Sequence, residues 1–164
     1  LCELAYTDSM TEVQNRNAYE ERLKKLRKPN ANISRITVIV VDVNGLKEIN
    51  DSYGHFCGDD AIKTVAKALR ETIGAKADIY RIGGDEFVVL IHDITDYGIE
   101  KVLKRIEKCR VKYNEENNVN LDFAKGVSLY TEGDTTFENL VARADAEMYR
   151  DKRLTKKGRR DDYE

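Results

Sequence analysis

The heptapeptide Arg81-Ile82-Gly83-Gly84-Asp85-Glu86-Phe87 separates two apolar, strand-like runs, Ile79-Tyr80 before it and Val88-Val89-Leu90-Ile91 after it. Two glycines between two strands predict a tight β-hairpin turn, because glycine accepts the positive φ angles that such turns require. Two adjacent carboxylates, those of Asp85 and Glu86, stand at the tip of this turn, where their like charges repel. Alone, a turn of this composition would be a solvated acidic loop, so its meaning depends on the rest of the chain.

A second decisive stretch is the β-branched run Ile36-Thr37-Val38-Ile39-Val40-Val41, which predicts a strand buried on both faces. It ends at Asp42, and Gly45 and Lys47 follow. If this strand and the hairpin are neighbours, Asp42 and Asp85 converge at one edge of the sheet. Converging carboxylate oxygens favour Mg²⁺, which commonly binds together with phosphates. Lys47 would then meet those phosphates as a positive charge. The pattern alone therefore predicts metal-assisted chemistry on a nucleotide.

Helical periodicity surrounds these strands, and turn-forming residues separate the periodic segments. The pattern predicts helices from Thr11 to Lys28, to about Ser52 after the first strand, from Asp59 to Gly74, around residues 99–106, and from a capping box at Thr135 and Glu138 through Met148. It also predicts a turn-rich loop over residues 50–59 and a strand over 119–130 with Gly126 as a bend. This alternation indicates an α/β fold with a mixed central sheet of about five strands, flanked by helices and containing the Gly-Gly hairpin.

The composition is that of a globular protein, because 41% of the 164 residues are hydrophobic and 35% are charged. A formal net charge of −2 excludes the bulk positive charge typical of nucleic-acid-binding proteins, so we expect no nucleic-acid partner. Three scattered cysteines indicate a reducing compartment rather than a disulfide framework or a zinc site. No apolar run is long enough to span a membrane. We expect a cytoplasmic location, which would also suit the cytoplasmic output domain of a membrane-bound sensor.

The chain is expected to form a single domain over residues 1–164. It opens in mid-pattern at Leu1 without a starting Met, so we expect residues 1–7 to be the end of an upstream linker. Six Lys and Arg residues between positions 152 and 160 predict a basic C-terminal tail over residues 153–164.

Five segments, taken in order, resemble the motifs of one family. Gly83-Gly84-Asp85-Glu86-Phe87 spells the defining motif of the GGDEF family, the diguanylate cyclases. The other segments that resemble this family are Asp8-Ser9-Met10-Thr11 with Asn15-Arg16, Asp42-Val43-Asn44-Gly45-Leu46-Lys47, Asn50-Asp51-Ser52-Tyr53-Gly54-His55 with Gly58-Asp59, and Ala144-Asp145 with Met148-Tyr149 and Lys152. The resemblance covers nearly the whole chain. It departs from the family at Glu12, where Gly is usual, and at Asn44, where a second Asp is frequent.

The resemblance implies a fold like the palm of nucleotidyl cyclases and polymerases. It implies condensation of two GTP molecules into cyclic di-GMP with release of pyrophosphate, dependent on Mg²⁺ or Mn²⁺. Each domain would hold one GTP, so the reaction would need a homodimer in which the 3′-hydroxyl of one GTP attacks the α-phosphate of the other. Metal ions would be the main stabiliser of the charge that develops on the phosphate oxygens. An upstream sensor or signalling domain is a further implied partner.

The resemblance also assigns roles at the hairpin and at the first strand. Asp42 and Asp85 correspond to metal-binding carboxylates, together with the backbone carbonyl of Val43. Glu86 corresponds to the second carboxylate of the motif, which either assists deprotonation or binds a second metal ion. A solvated turn residue is the rival interpretation of Glu86.

Phosphate binding is implied for a second set of residues. Lys47 and the backbone amides of Gly45 and Leu46 would hold the β- and γ-phosphates at the start of a helix. Gly84 joins this substrate-binding set at the hairpin, and Lys152 corresponds to the phosphate-binding lysine of the last helix.

The remaining implied residues read the base or add charge. Asn50 and Asp59 correspond to the residues that read the guanine edge, because an amide and a carboxylate can satisfy its acceptors and donors. Asp59 alternatively caps the helix that it opens. Lys156 is the best positional match to a further basic residue of the family, and Arg159 is an alternative.

Two other functions remain open, and one family feature is missing. The chain could be a catalytically silent regulatory module that binds GTP or cyclic di-GMP, although the usual mark of such a module is a broken motif. It could also be a structural interaction domain, which would leave the matching carboxylates and lysines as coincidence.

Many relatives bind product through an Arg-x-x-Asp motif, whose positions are occupied here by Gly74 and Ala77. We therefore predict no product inhibition through that secondary site.

Overall fold

The computed structural model describes residues 5–161, and all of their side chains except those of residues 55, 56, 75 and 155–161. Residues 1–4 of the predicted linker end lie outside the described residues. The elements in chain order are α1 (Arg16–Leu26), β1 (Ile36–Asn44), α2 (Leu46–Tyr53), α3 (His55–Ile73), a short 3-10 helix (Gly74–Lys76), β2 (Ala77–Arg81), β3 (Glu86–His92), α4 (Asp96–Asn117), β4 (Asp122–Leu129) and α5 (Phe137–Asp161). No helix in the described part of the chain is both long and apolar enough to span a membrane.

The sheet of the described residues has four strands in the order β2-β3-β1-β4, and every neighbouring pair is antiparallel. The prediction of a mixed sheet with about five strands is therefore wrong. The run over residues 36–41 is buried on both faces as predicted, because β1 is an inner strand and helices cover both faces of the sheet. An apolar run of this kind indicates burial but carries no information about strand direction, which is why the sequence alone suggested a mixed sheet.

Side chains alternate across β1, so each face of the sheet builds its own core. Ile39, Val41 and Val43 pack on the face covered by α2, α3 and α4. Ile36, Val38 and Val40 pack on the face covered by α1 and α5. By the same alternation, Asp42 lies on the face of α5. The strand register pairs Asp42 with Glu86 of β3, which places both carboxylates on that face.

Helix α5 approaches β4 closely at Gly126. A Cβ atom built on Gly126 would lie 1.8 Å from the carbonyl oxygen of Ala144 and 2.6 Å from the backbone nitrogen of Met148. Gly126 also keeps its ladder pairing with Val40, so the predicted bend at this residue is wrong. The missing side chain instead lets a helix backbone lie directly on the sheet.

Several predicted helix boundaries are wrong because local side-chain bonds compete with the helical pattern. Helix α1 begins at Arg16 rather than Thr11, since the Asn15 side chain caps it by accepting a bond from the Ala18 amide at 3.0 Å. The cap of α5 also lies one residue later than predicted. Its reciprocal bonds join Thr136 and Asn139, while the carboxylate of Glu138 pairs with Arg27.

The segment over residues 50–59 is largely helical, so the predicted loop is wrong. Helix α3 begins at His55, and only Gly54, with φ +87°, separates it from α2. Gly74, with φ +68°, ends α3 as predicted. At the C-terminus the predicted basic tail over residues 153–164 is helical as far as Asp161, and residues 162–164 lie outside the described part of the chain.

Candidate functional site

The turn between β2 and β3 is held by a side chain rather than by unusual glycine conformations. The described glycines with positive φ are Gly45, Gly54 and Gly74, so the reason given from the sequence for Gly83 and Gly84 is wrong. Instead, the guanidinium of Arg81 donates to the carbonyl oxygen of Gly84 at 2.8 Å. The side chain that precedes the turn therefore fixes its tip.

The N-terminal Asp8 motif supports this same arginine. One oxygen of Asp8 accepts bonds from the Thr11 amide at 3.0 Å and the Thr11 hydroxyl at 2.6 Å. The same carboxylate lies 3.2 Å from the Arg81 guanidinium. Burial alone would raise the pKa of Asp8, but the Thr11 bonds and the Arg81 charge together lower it. Asp8 is thus held as an anion that positions Arg81, and through Arg81 the hairpin tip.

The strand-end carboxylate and the hairpin come together as predicted, because β1 and β3 are neighbours. Asp42 is only 6% exposed, and its strand partner is Glu86. One residue further along, the Val43 amide donates to the backbone carbonyl of Asp85 at 2.8 Å. The backbone of Asp85 is therefore fixed beside the end of β1, while its side chain is exposed at the turn.

Lys152 of α5 reaches the buried carboxylate. Its ammonium lies 2.7 Å from an oxygen of Asp42, and the side chains of Lys152 and Asp42 are 34% and 9% exposed. The hydrogen bond to Asp42 raises the pKa of Lys152, and the charges of Asp42, Asp85 and Glu86 raise it further. The protonated form of Lys152 is therefore stabilised by three carboxylates, those of Asp42, Asp85 and Glu86.

Glu86 is a carboxylate whose ionised form is disfavoured by its surroundings. Burial raises its pKa, and the charges of Asp42, Asp85 and Asp145 raise it further, while Lys152 opposes them. Asp145 is a further carboxylate close enough to act on Glu86, and its place in the last motif predicted no role for it. Its pKa is also raised by burial. The signal that could have found it is its spacing of seven residues from Lys152, which places both on one face of α5.

The donor atoms of this group fit a hard divalent cation. Asp42, Asp85 and Glu86 offer carboxylate oxygens and no soft ligand, which suits Mg²⁺ or Mn²⁺. Within the described residues, no three His, Cys, Asp or Glu side chains are already arranged to hold an ion. An ion bound to the Lys152-facing oxygen of Asp42 would have to displace the ammonium from it.

The turn from β1 into α2 requires its glycine. Gly45 has φ +84°, and a Cβ atom built on it would lie 2.9 Å from the carbonyl oxygen of Asn120. Both the conformation and the space therefore exclude an ordinary side chain. Leu46 opens α2, and Lys47 is exposed in its first turn. The structure thus places the predicted phosphate-binding residues Gly45, Leu46 and Lys47 together at a helix start.

Asn50 lies against the beginning of α3. A Cβ atom built on Gly58 would lie 2.0 Å from the side-chain oxygen of Asn50, so only glycine leaves room for this amide. That oxygen is buried and has no hydrogen-bond partner among the described residues. Asp59, the residue after Gly58, is exposed. It does not cap α3, whose N-cap is Gly54, so that alternative is wrong.

The predicted residues Lys156 and Arg159 fall in the part of α5 whose side chains are not described. Their backbone continues the helix that carries Lys152. Lys156 follows Lys152 by one helical turn, so it lies on the same side of α5.

The fold and the site define a class of α/β domain in which acidic residues lie on a hairpin and at the end of the strand beside it. The chain belongs to the GGDEF family, because the family model described as "Diguanylate cyclase, GGDEF domain" matches residues 5–158. It is 34% identical over 154 residues to the bifunctional diguanylate cyclase/cyclic di-GMP phosphodiesterase MucR of Pseudomonas aeruginosa, which covers 91% of this chain and 22% of MucR. It is 30% identical over 166 residues to the diguanylate cyclase TpbB of the same organism, covering 98% of this chain and 38% of TpbB.

Solved structures agree with this assignment. The GGDEF domain of TpbB has a TM-score of 0.75 at 29% identity, covering 90% of this chain and 89% of that one. The fold is also similar to that in a structure of the coiled coil and GGDEF domain of DgcB from Caulobacter crescentus, with a TM-score of 0.75 at 23% identity, covering 93% of this chain and 83% of that one. The chain spans between about a fifth and a half of the length of the curated relatives that it matches.

Proposed function

We propose that this chain is a diguanylate cyclase domain that condenses two GTP molecules into cyclic di-GMP and releases pyrophosphate. The observation that carries the proposal is the intact acidic hairpin, fixed by Val43 beside the buried carboxylate of Asp42. Relatives named diguanylate cyclase support it. A palm-like fold, as in nucleotidyl cyclases and polymerases, is part of the same proposal.

Asp42 and Asp85, with the carbonyl of Val43, would hold Mg²⁺ or Mn²⁺. When bound, the ion supplies positive charge to the α-phosphate and to the leaving pyrophosphate. Asp42 is suited to this role because burial and strand pairing fix its side chain. Glu86 lies beside Asp85 in sequence and opposite Asp42 in the sheet, a position that suits either proton acceptance from the 3′-hydroxyl or a second metal ion.

Positive groups on two elements would hold the triphosphate. Lys47 and the amides of Gly45 and Leu46 stand at the start of α2, where a helix end favours anions. Lys152 would exchange its bond with Asp42 for a bond with phosphate as substrate and metal arrive. Gly84 would allow phosphate to approach the hairpin backbone, since a Cβ atom built on it meets nothing within 4 Å.

The guanine base would be read by Asn50 and Asp59. The unpaired, buried oxygen of Asn50 supports this, because a buried acceptor without a donor is rare in a folded protein. A purine that supplies an N–H group would satisfy it. Asp59 lies beside the contact between Asn50 and Gly58 and would accept from the other donors of guanine.

One chain supplies one such site, so two GTP molecules in reaction geometry require a homodimer. We propose that a longer cytoplasmic protein brings two domains together through an upstream sensor or signalling segment, as the greater length of the relatives suggests. A linked pair has a much higher effective concentration of partner than free domains do.

Incubation of the purified chain with GTP and Mg²⁺ tests the proposal, with ATP as the matched nucleotide control. Cyclic di-GMP formed from GTP, at a rate that rises faster than linearly with protein concentration, is the expected result. GTP binding without product would instead support a silent regulatory module. If the chain neither binds GTP nor forms product, the interpretation as an interaction domain is left and the proposal is overturned.

A further inference from the structure

Strand β4 is an edge of the described sheet, and side chains of α5 bond three of its outward-facing backbone groups. The amide of Lys125 donates to the carboxylate of Asp151 at 2.8 Å, and the amide of Val127 donates to that of Glu147 at 3.3 Å. The third contact runs the other way, because the guanidinium of Arg143 donates to the carbonyl of Leu129. Three backbone groups on this edge thus meet a side chain of complementary charge.

These contacts repeat at nearly the same distance along the strand and along the helix. The strand residues lie two apart, which is about 6.7 Å per step. Residues Arg143, Glu147 and Asp151 lie four apart, which is about 6.0 Å per step along the helix. The two periods therefore stay nearly in phase over three contacts, and Gly126 removes the side chain that would keep the elements apart. We call Arg143, Glu147 and Asp151 with their strand partners the edge ladder.

The edge ladder ends one residue before Lys152. A helix that slid by one residue along β4 would move Lys152 by about 1.5 Å and rotate it by about 100°. Its 2.7 Å bond to Asp42 would not survive such a shift. The register of α5 on β4 therefore decides whether this lysine reaches the acidic site.

We propose that Arg143, Glu147 and Asp151 are positioning residues that set the register of α5 and so deliver Lys152 to Asp42 and, resting on the proposed function, to the triphosphate of GTP. Covering the edge against other strands would need polar or charged groups but no fixed register. The commensurate spacing and the placement of Lys152 at its end are what point to positioning.

The test is a double-mutant cycle of urea stability for Asp42→Asn and Lys152→Met, measured in four backgrounds. These are the parent chain, Asp151→Ala, Asp151→Asn and Glu115→Ala. Asparagine keeps a carbonyl that can accept from the Lys125 amide. Glu115 is an exposed α4 carboxylate without a hydrogen bond or ion pair in the described part of the chain, so Glu115→Ala is the matched control.

We expect the coupling between Asp42 and Lys152 to fall by roughly half or more in Asp151→Ala, and to stay near the parent value in Asp151→Asn and Glu115→Ala. Hydrogen exchange of the Lys125 amide should accelerate about five- to tenfold in Asp151→Ala, as for the loss of one hydrogen bond. Unchanged coupling in Asp151→Ala, together with faster exchange at Lys125, would mean that the edge ladder only covers the strand edge and does not position Lys152. That result would overturn the proposal.

These readouts need no turnover, so they decide the positioning role even if the parent chain makes no cyclic di-GMP. If it does, KM for GTP should rise in Asp151→Ala and recover in Asp151→Asn. Should Asp151→Ala fail to fold, Glu147→Ala removes the neighbouring contact and must lower the same coupling. Full coupling in that variant would contradict the proposal.

Discussion

Replacing Gly126 with alanine tests how the packing of α5 delivers Lys152 to the site. The new Cβ atom would lie 1.8 Å from the Ala144 carbonyl oxygen, whereas a carbon–oxygen contact needs about 3.3 Å. Helix α5 must therefore move away by roughly 1.5 Å, since both neighbours are backbone atoms. Such overpacking costs about 1–3 kcal/mol, and the reduced entropy of the unfolded chain offsets about 0.4–1 kcal/mol of it.

The same displacement would stretch the 2.7 Å bond between Lys152 and Asp42 to about 4 Å, beyond hydrogen-bond range. Thermal unfolding should show a melting temperature lower by roughly 2–4 °C for each kcal/mol lost, and binding of a fluorescent GTP analogue should weaken. Gly133→Ala is the matched control, because a Cβ atom built there meets nothing within 4 Å. A Gly126→Ala chain that melts and binds like the parent would refute this reasoning.

Three further predictions concern the site. Glu86→Gln should raise the melting temperature at pH 7 but not at pH 4, because the raised pKa of Glu86 makes its ionised form destabilising in the folded chain, and this cost fades as pH falls through the raised pKa and is lost below the usual value of 4.5. Lys152→Met should tighten Mn²⁺ binding without nucleotide, measured by electron paramagnetic resonance, since the ammonium no longer competes for Asp42. It should also lower stability by about 1–3 kcal/mol in urea unfolding without metal. Asp59→Ala should weaken GTP binding by about 1–3 kcal/mol and ATP binding by less, measured by titration calorimetry.

Each of these has an opposing outcome. A Glu86→Gln gain that persists at pH 4 would mean that packing, not charge, is responsible. Mn²⁺ affinity should not change to the same extent in Arg153→Met, which removes an exposed charge one residue away. If both variants gain equally, the effect is general electrostatics. Equal losses for GTP and ATP in Asp59→Ala would remove this residue from base recognition.

The sequence predicts best what short-range patterns control. The β-branched run before Asp42 indicates burial on both faces, and β1 is an inner strand whose two faces are both covered by helices. Gly74 ends its helix because an achiral residue tolerates φ +68°. The loop predicted over residues 50–59 is wrong, since their turn-forming composition conceals two helices joined at Gly54.

The sequence fails where distant residues decide local structure. The hairpin tip is held by Arg81, which Asp8 positions from 73 residues away, and no local pattern reveals that bond. Gly126 resembles a strand bend until α5 is placed on it. The positions of Asp42, Asp85 and Lys152 could be anticipated from motifs, but the direct bond between Lys152 and Asp42 could not, because it depends on the register of α5 on β4.

The proposed function makes the condensation of GTP depend on the carboxylates at the hairpin tip and at the end of β1. Its most direct test is the rate of cyclic di-GMP formation by the parent chain and by Asp85→Asn, at equal concentration of folded protein with GTP and Mg²⁺. Asp85 is exposed and its backbone carbonyl makes the structural bond to Val43, so the variant should fold normally. We expect product from the parent and none from Asp85→Asn. Product at the parent rate from Asp85→Asn would contradict it.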